Sequence, residues 1–195
     1  MIISSDTIWT VGHSTRTLED FVAVLSAYDV ELIADVRRLP ASRRLPHFNA
    51  AELEKSLAGS GIEYKWLPLL GGRRQAMPGS PNGGWTNAAF RGYADHIGTE
   101  EFAEGFQELF TLRGGMKTAI MCAELLWWRC HRRIISDVLV SLDCGVVHIR
   151  DASSSERHRL VPPGRLVDGE LTYHPDASLQ LGLTFGTSEE LTAEL

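Results

Sequence analysis

Apolar positions in this chain recur in two rhythms, short unbroken runs and stripes at helical spacing, and their alternation predicts strand followed by helix several times over. Ile8 to Val11 is an apolar run that ends at Gly12-His13-Ser14, and Thr17 then opens a stretch with Leu18, Phe21, Val22 and Leu25 on one helical face. Glu31 to Val36 repeats the strand and ends in Asp35-Val36-Arg37, followed by a polar loop through Pro40, Ser42 and Pro46. A helix beginning near Asn49 carries Ala50, Leu53 and Leu57 and stops at Gly59 to Gly61. Glu63 to Leu69 is a third strand closed by Gly71-Gly72.

Arg73 to Asn87 has no periodicity and is rich in glycine and proline, so it reads as a long mobile loop of the kind that forms lids. Phe90 to His96 and Phe102 to Leu112 are helical, Lys117 to Cys122 is a fourth strand, Arg129 or Cys130 to Leu142 a helix, and Gly145 to Ile149 a fifth strand. Repeated strand and helix imply an α/β fold: a mostly parallel, five-stranded, Rossmann-like sheet with helices on both faces. Beyond it, Asp168-Gly169 between Arg165-Leu166-Val167 and Glu170 to Tyr173 signals a small β-hairpin. The division is therefore an α/β domain over 1–160 and a C-terminal hairpin and tail over 161–195, with the last residues reading as a weak tail.

Composition narrows the class. With 44% hydrophobic residues the chain can build a real core, and no run approaches the ~20 apolar residues of a membrane span. Met1 to Trp9 lacks the order of a signal peptide, and three cysteines are too few and odd for a disulfide framework, so a cytoplasmic protein with free thiols and no membrane partner is expected. The net charge of -6 argues against nucleic acid, but the charge is unevenly spread. Asp35 to Arg74 holds eight basic and four acidic residues, against three and eight from Asp151 onward, and 16 of the 19 basic residues are Arg, whose planar fork suits phosphate and carboxylate.

Ligands of open parallel sheets bind outside the carboxyl ends of the strands, and here those ends carry chemistry. The first strand delivers His13 and Ser14; the second Asp35 and Arg37 with Ser42 and Arg43; the third Gly71 and Gly72; the fourth Cys122 and Glu124. Cys130-His131-Arg132 follows at a helix start, where the dipole and basic neighbours favour a thiolate. Candidate catalytic groups are thus Cys122, Cys130, Glu124, Asp35 and His13, and candidate substrate-binding groups are Ser14, Arg37, Ser42, Arg43, Gly71, Gly72, His131 and Arg132. The C-x7-C-H spacing matches none of the common zinc patterns, so no metal ligand is assigned, and neither is a cofactor or an oligomeric state. Trp127 and Trp128 cannot both face inward on one helix; one of them would either stack on a base at the cleft mouth or sit incidentally at the surface.

Taken together, Thr10 to Ser14, Asp35-Val36-Arg37 with Pro40, Ser42 and Arg43, Gly71-Gly72, Met121 to Glu124 and Cys130-His131-Arg132 resemble the domain of unknown function 488 (DUF488) family. The resemblance runs from about Trp9 to about His158, implies this domain and singles out these residues, and names no reaction. Where family members carry an acidic, proline-containing segment after Glu124, this chain has Leu125-Leu126-Trp127-Trp128-Arg129. The expected activity is that of an enzyme on a phosphate-bearing substrate, a nucleotide or nucleic-acid component. Its rivals are a non-catalytic nucleotide or nucleic-acid binding module and a metal-dependent hydrolase.

Overall fold

A computed structural model describes residues 7–175; the tail read from the sequence lies outside them. The strands are β1 (Thr7–Gly12), β2 (Leu32–Asp35), β3 (Glu63–Trp66), β4 (Thr118–Cys122), β5 (Gly145–Asp151) and β6 (Ser154–Arg157), in the spatial order β3-β2-β4-β1-β5-β6. The first five run parallel and β6 pairs antiparallel with β5. The helices are α1 (Leu18–Ser26), α2 (Ala50–Ala58), α3 (Ala88–His96), α4 (Glu100–Arg113) and α5 (Arg132–Ser141). A separate hairpin of β7 (Arg165–Val167) and β8 (Glu170–Thr172) turns at Asp168 and Gly169, whose φ values of 51° and 85° are what a two-residue primed turn demands. No helix of the described residues is long and apolar enough to cross a membrane.

Side chains alternate across the parallel strands, and each face acquires its own core. Trp9, Val11, Ile33, Ala119 and Met121 pack with Phe21 and Leu25 of α1 and Leu53 and Leu57 of α2. Their neighbours Ile8, Ala34, Ile120 and Val146 pack on the other side with Tyr93, Phe102, Leu109, Ile134 and Leu139 of α3, α4 and α5.

Three details depart from the sequence pattern. The sixth strand is polar along its length, Ser154-Ser155-Glu156-Arg157, so no apolar period announces it. The third strand stops at Trp66 because Pro68 opens a 3₁₀ turn and has no N–H to give a ladder. The loop from Arg73 to Asn87 is fastened at its centre: Asp95 accepts from the Met77 N–H (2.8 Å), the Ser80 hydroxyl (2.5 Å) and the Asn82 amide (2.8 Å), and Trp85 is buried.

A chain of buried hydrogen bonds ties α5 to both sheet and hairpin. Arg132, 1% exposed, donates from Nη1 to Thr10 Oγ1 (3.4 Å). Among the described residues the Thr10 hydroxyl proton is accepted by His148 Nδ1 (2.7 Å), which leaves His148 Nε2–H donating to His158 Nδ1 (2.9 Å) and His158 Nε2–H donating to Asp137 Oδ1 (2.7 Å). The Tyr173 hydroxyl closes the chain on Asp137 Oδ2 (2.9 Å). Trp127 covers it, stacked on His148 with centroids 4.1 Å apart.

Burial, then the charges of His158 and Arg132, push the His148 pKa down to about 2. The folded state therefore binds fewer protons than the unfolded chain below the ordinary His value of about 6.5, and the stability His148 contributes is present above that pH and lost as pH falls through it. Urea unfolding is expected to show about 2 kcal/mol lost on this account between pH 7.5 and pH 5. His148→Gln should remove that part of the slope; an unchanged slope would clear His148 of the effect.

Candidate functional site

β1 leads into α1 on one face, whereas its neighbour β4 leads through a loop into α5 on the other, so the two connections part above the sheet and leave a crevice. The loops are zipped where they separate. His13 N–H donates to Cys122 O (3.0 Å) and Ser14 N–H to Ala123 O (2.9 Å), with Ser14 at φ 52°. Gly12 permits this approach, since a Cβ there would lie 2.0 Å from Glu124 O. The resulting cleft, about 700 Å³, is of the size that holds small ligands.

His13, Ser14, Arg37, Ser42, Gly72, Cys122, Glu124, Cys130 and His131 line the cleft, whereas Asp35, Arg43, Gly71 and Arg132 do not. Arg43 stands exposed on its loop. Gly71 packs against Arg38, where a Cβ would lie 2.8 Å from the Arg38 Cα. Arg132 is spent inward: Nη2 donates to Glu124 O and to Leu125 O (3.2 Å), clamping the loop that carries Glu124, and Nε has no partner among the described residues.

Asp35, fully buried, accepts from Arg37 N–H (3.0 Å), Nε (2.9 Å) and Nη2 (2.5 Å), and from the Tyr64 hydroxyl (2.7 Å). Arg37 Nη1 then donates to Phe48 O (2.9 Å) and to His13 Nε2 (3.2 Å), while His13 Nδ1–H donates to Ser14 O (2.9 Å). One tautomer of His13 is thereby fixed. Its ring lies stacked on Phe48 with centroids 4.1 Å apart, and burial followed by the Arg37 charge lowers its pKa to about 4, so it faces the cleft as neutral imidazole near pH 7.

The floor is sulfur and imidazole. Cys122 Sγ, Cys130 Sγ and a His131 ring nitrogen lie within 4.8 Å of one another, a grouping that the C-x7-C-H spacing did not signal because β4 and the residue before α5 meet only in space. His131 Nε2–H donates to Val36 O (3.0 Å), which turns Nδ1 toward Cys130 Sγ at 3.5 Å. Burial opposes ionisation of Cys130, but the hydrogen bond from Cys122, the charge and hydrogen bond of His131 and the Arg132 charge outweigh it and hold Cys130 well below an ordinary thiol. Cys122 is raised, first by its hydrogen bond to Cys130, then by burial and the charge on Cys130. Cys130 is thus the more acidic of the two sulfurs. The same three donors, with His131 oriented by a backbone carbonyl, could also hold a soft cation such as zinc with its remaining coordination open to the cleft.

Sequence reasoning missed the rim. Arg38, Arg73 and Arg129 line the cleft, are exposed, and ion-pair with no carboxylate among the described residues; Arg38 donates to Arg73 O (3.1 Å). Each adjoins a residue that was recognised, namely Arg37, Gly72 and Cys130. Arg37 and Arg38 both line the cleft, but Arg37 is buried and held by Asp35 whereas Arg38 stands exposed. Neither tryptophan is in the lining: Trp127 donates to Glu156 Oε1 (2.8 Å) over the histidine pair, and Trp128 is 39% exposed.

The dependence of this site on the Asp35 and Arg37 pair can be measured. Asp35→Asn leaves a buried guanidinium without its counter-charge and is expected to cost about 3–5 kcal/mol in urea unfolding, against about 1 kcal/mol for Tyr64→Phe, which removes one neutral donor. Equal losses in the two variants would show that the ion pair does not anchor the site.

Residues 17–139 match the family model described as Domain of unknown function DUF488. The matched span is well over half of the chain and takes in the Asp35 and Arg37 pair, the arginine rim, Cys122, Cys130 and His131, while His13 and everything from β5 onward lie outside it. No curated protein and no solved structure matches the chain. The topology, the motif residues brought to one cleft and the extent of the match agree: this chain belongs to the DUF488 family.

Proposed function

We propose that the protein is an enzyme that holds a phosphate-bearing substrate, a nucleotide or nucleic-acid component, against the arginine rim and attacks it with the Cys130 thiolate. One observation carries this reading: a cysteine sulfur 3.5 Å from a histidine nitrogen lies on the floor of a cleft whose exposed cations, Arg38, Arg73 and Arg129, have no protein counter-ion among the described residues. Unpaired guanidinium groups around a concave site form charge-assisted bonds with phosphate oxygens. His131 Nδ1 is placed to take the Cys130 proton and return one to a leaving group; Glu124, the one carboxylate in the lining among the described residues, is a further acid or base within the cleft. No disulfide joins the three cysteines, and we place the protein in the reducing cytoplasm, where thiols persist.

The binding-module alternative draws less support from the tryptophan pair, because Trp127 is engaged by His148 and Glu156 and neither Trp127 nor Trp128 lines the cleft. A metal-dependent hydrolase keeps one specific observation in its favour, the Cys122, Cys130 and His131 donor set. Elemental analysis of purified protein separates that reading from thiolate chemistry.

A melting-shift screen against nucleotides, sugar phosphates and pyrophosphate is the direct test. A true ligand at 100 times its Kd should stabilise by about 2.7 kcal/mol, and replacing Arg38, Arg73 and Arg129 together by Ala should weaken binding at least tenfold. No shift with any phosphate compound sinks the anion-binding half of the reading. For the thiol, iodoacetamide labelling of the native protein from pH 5 to 9 should modify Cys130 before Cys144, with the Cys130 rate rising at lower pH than that of an ordinary thiol. Cys144 labelling first would move the chemistry to Glu124 and His131.

A further inference from the structure

Cys122 ends β4 and Cys130 stands in the irregular turn before α5, yet their sulfurs are no more than 4.8 Å apart and both residues line the cleft. Cys130 is only 5% exposed, a burial that favours small reagents at its sulfur. Cys144, the third cysteine, is buried at the start of β5, toward the opposite end of the sheet, and cannot join them. A bonded pair of sulfurs is about 2.05 Å apart, and rotation about the Cα–Cβ bonds, helped by the non-helical backbone at Cys130, supplies the approach.

We propose that Cys122 and Cys130 form a site of reversible oxidation by a hydroperoxide, Cys130 being the sulfur that reacts and Cys122 the one that resolves it into a disulfide. His131 Nδ1, 3.5 Å away, takes the Cys130 proton. The sulfur then attacks one peroxide oxygen: the S–O bond forms, the O–O bond breaks, and the departing alkoxide or hydroxide takes the proton from His131 to leave as alcohol or water. Cys130 is now a sulfenic acid and the peroxide has been reduced by two electrons. Cys122 Sγ attacks the Cys130 sulfur, the S–S bond forms as the S–O bond breaks, and the hydroxide leaves with the Cys122 proton as water. Two thiols and one peroxide yield one disulfide, one alcohol or water, and one water. The disulfide removes the nucleophile, so the site is switched off until a thiol reductant restores it. This rests on the functional reading above only in taking Cys130 as the reacting sulfur, and it needs no anionic substrate.

The test treats reduced full-length protein with one equivalent of hydrogen peroxide, quenches with acid and measures intact mass and peptide map. Cleavage after Arg129 separates the two cysteines, so a link between their peptides is unambiguous. The expected product has lost two hydrogens, joins the Cys122 and Cys130 peptides, and reverts with dithiothreitol. Cys122→Ser should stop at a dimedone-reactive sulfenic acid on Cys130, and Cys130→Ser should leave Cys122 unoxidised at that dose. If Cys122→Ser fails to fold, the map of the native chain decides alone. The proposal is overturned if native protein stops at sulfinic acid on Cys130, if the link involves Cys144, or if Cys122 oxidises equally well without Cys130. Stoichiometric zinc that must be chelated before either thiol reacts overturns it too. A disulfide in a protein that binds no phosphate compound leaves this inference standing and removes only the substrate assignment.

Discussion

The constraint on which the rest of this molecule depends is the burial of one guanidinium, that of Arg132. A fully buried cation costs several kcal/mol unless its protons are received and its charge is balanced. Here the balance is indirect. Two backbone carbonyls, of Glu124 and Leu125, take protons on one side, and on the other the charge is relayed through Thr10, His148 and His158 to Asp137, with every hydrogen bond pointing the same way. The geometry of the β4 loop follows from the first set of bonds and the packing of α5 on β1 and β5 from the second. Cys130 lies beside the same cation, and its lowered pKa is in part the consequence.

Arginine does most of its work in this protein on backbone oxygen. Parallel strands end by leaving carbonyls without ladder partners, and such groups need donors if they are not to stay dry and unpaired. Arg16 serves Gly12 and Arg150, Arg37 serves Phe48, Arg74 serves Gly71 and Leu69, Arg91 serves Trp85, and Arg133 serves Pro162. Five N–H groups in a rigid fork let one side chain close a loop onto two carbonyls at once, which an ammonium on a flexible stem does poorly. The excess of Arg over Lys is therefore mainly a device for finishing irregular loops. What remains for a ligand is the small subset at the cleft rim.

That division explains how far the sequence could be read. Apolar runs and helical stripes located the five parallel strands and the helices on both faces, although β3 at the sheet edge has no buried residue, and the Asp168-Gly169 turn located the hairpin; β6, polar throughout, leaves no such trace. The convergence of His13, Glu124, Cys122, Cys130 and His131 followed from a rule about strand ends, which needs topology alone. Which way an arginine turns is a tertiary outcome. The sequence pattern assigns Arg37 and Arg132 to a ligand, yet protein atoms hold both, whereas Arg38, Arg73 and Arg129, which it passes over, are the exposed arginines of the cleft lining. Composition counts charges and says nothing about their partners.

The electrostatic balance of the site also reaches past the span that matches the family. Arg132 and Asp137 lie inside residues 17–139, but Thr10, His148, His158 and Tyr173, which join and complete them, lie outside. Tyr173 follows β8, is fully buried, and supplies the hydroxyl that satisfies the second oxygen of Asp137. Without that hydroxyl a buried carboxylate would keep an oxygen with no donor, at a cost of the same order as the hydrogen bonds it makes elsewhere. The hairpin that carries Tyr173 is thus bound to the α/β core by a polar requirement as well as by apolar contact, and the charge beside Cys130 is balanced through a segment distant in sequence from every group in the cleft.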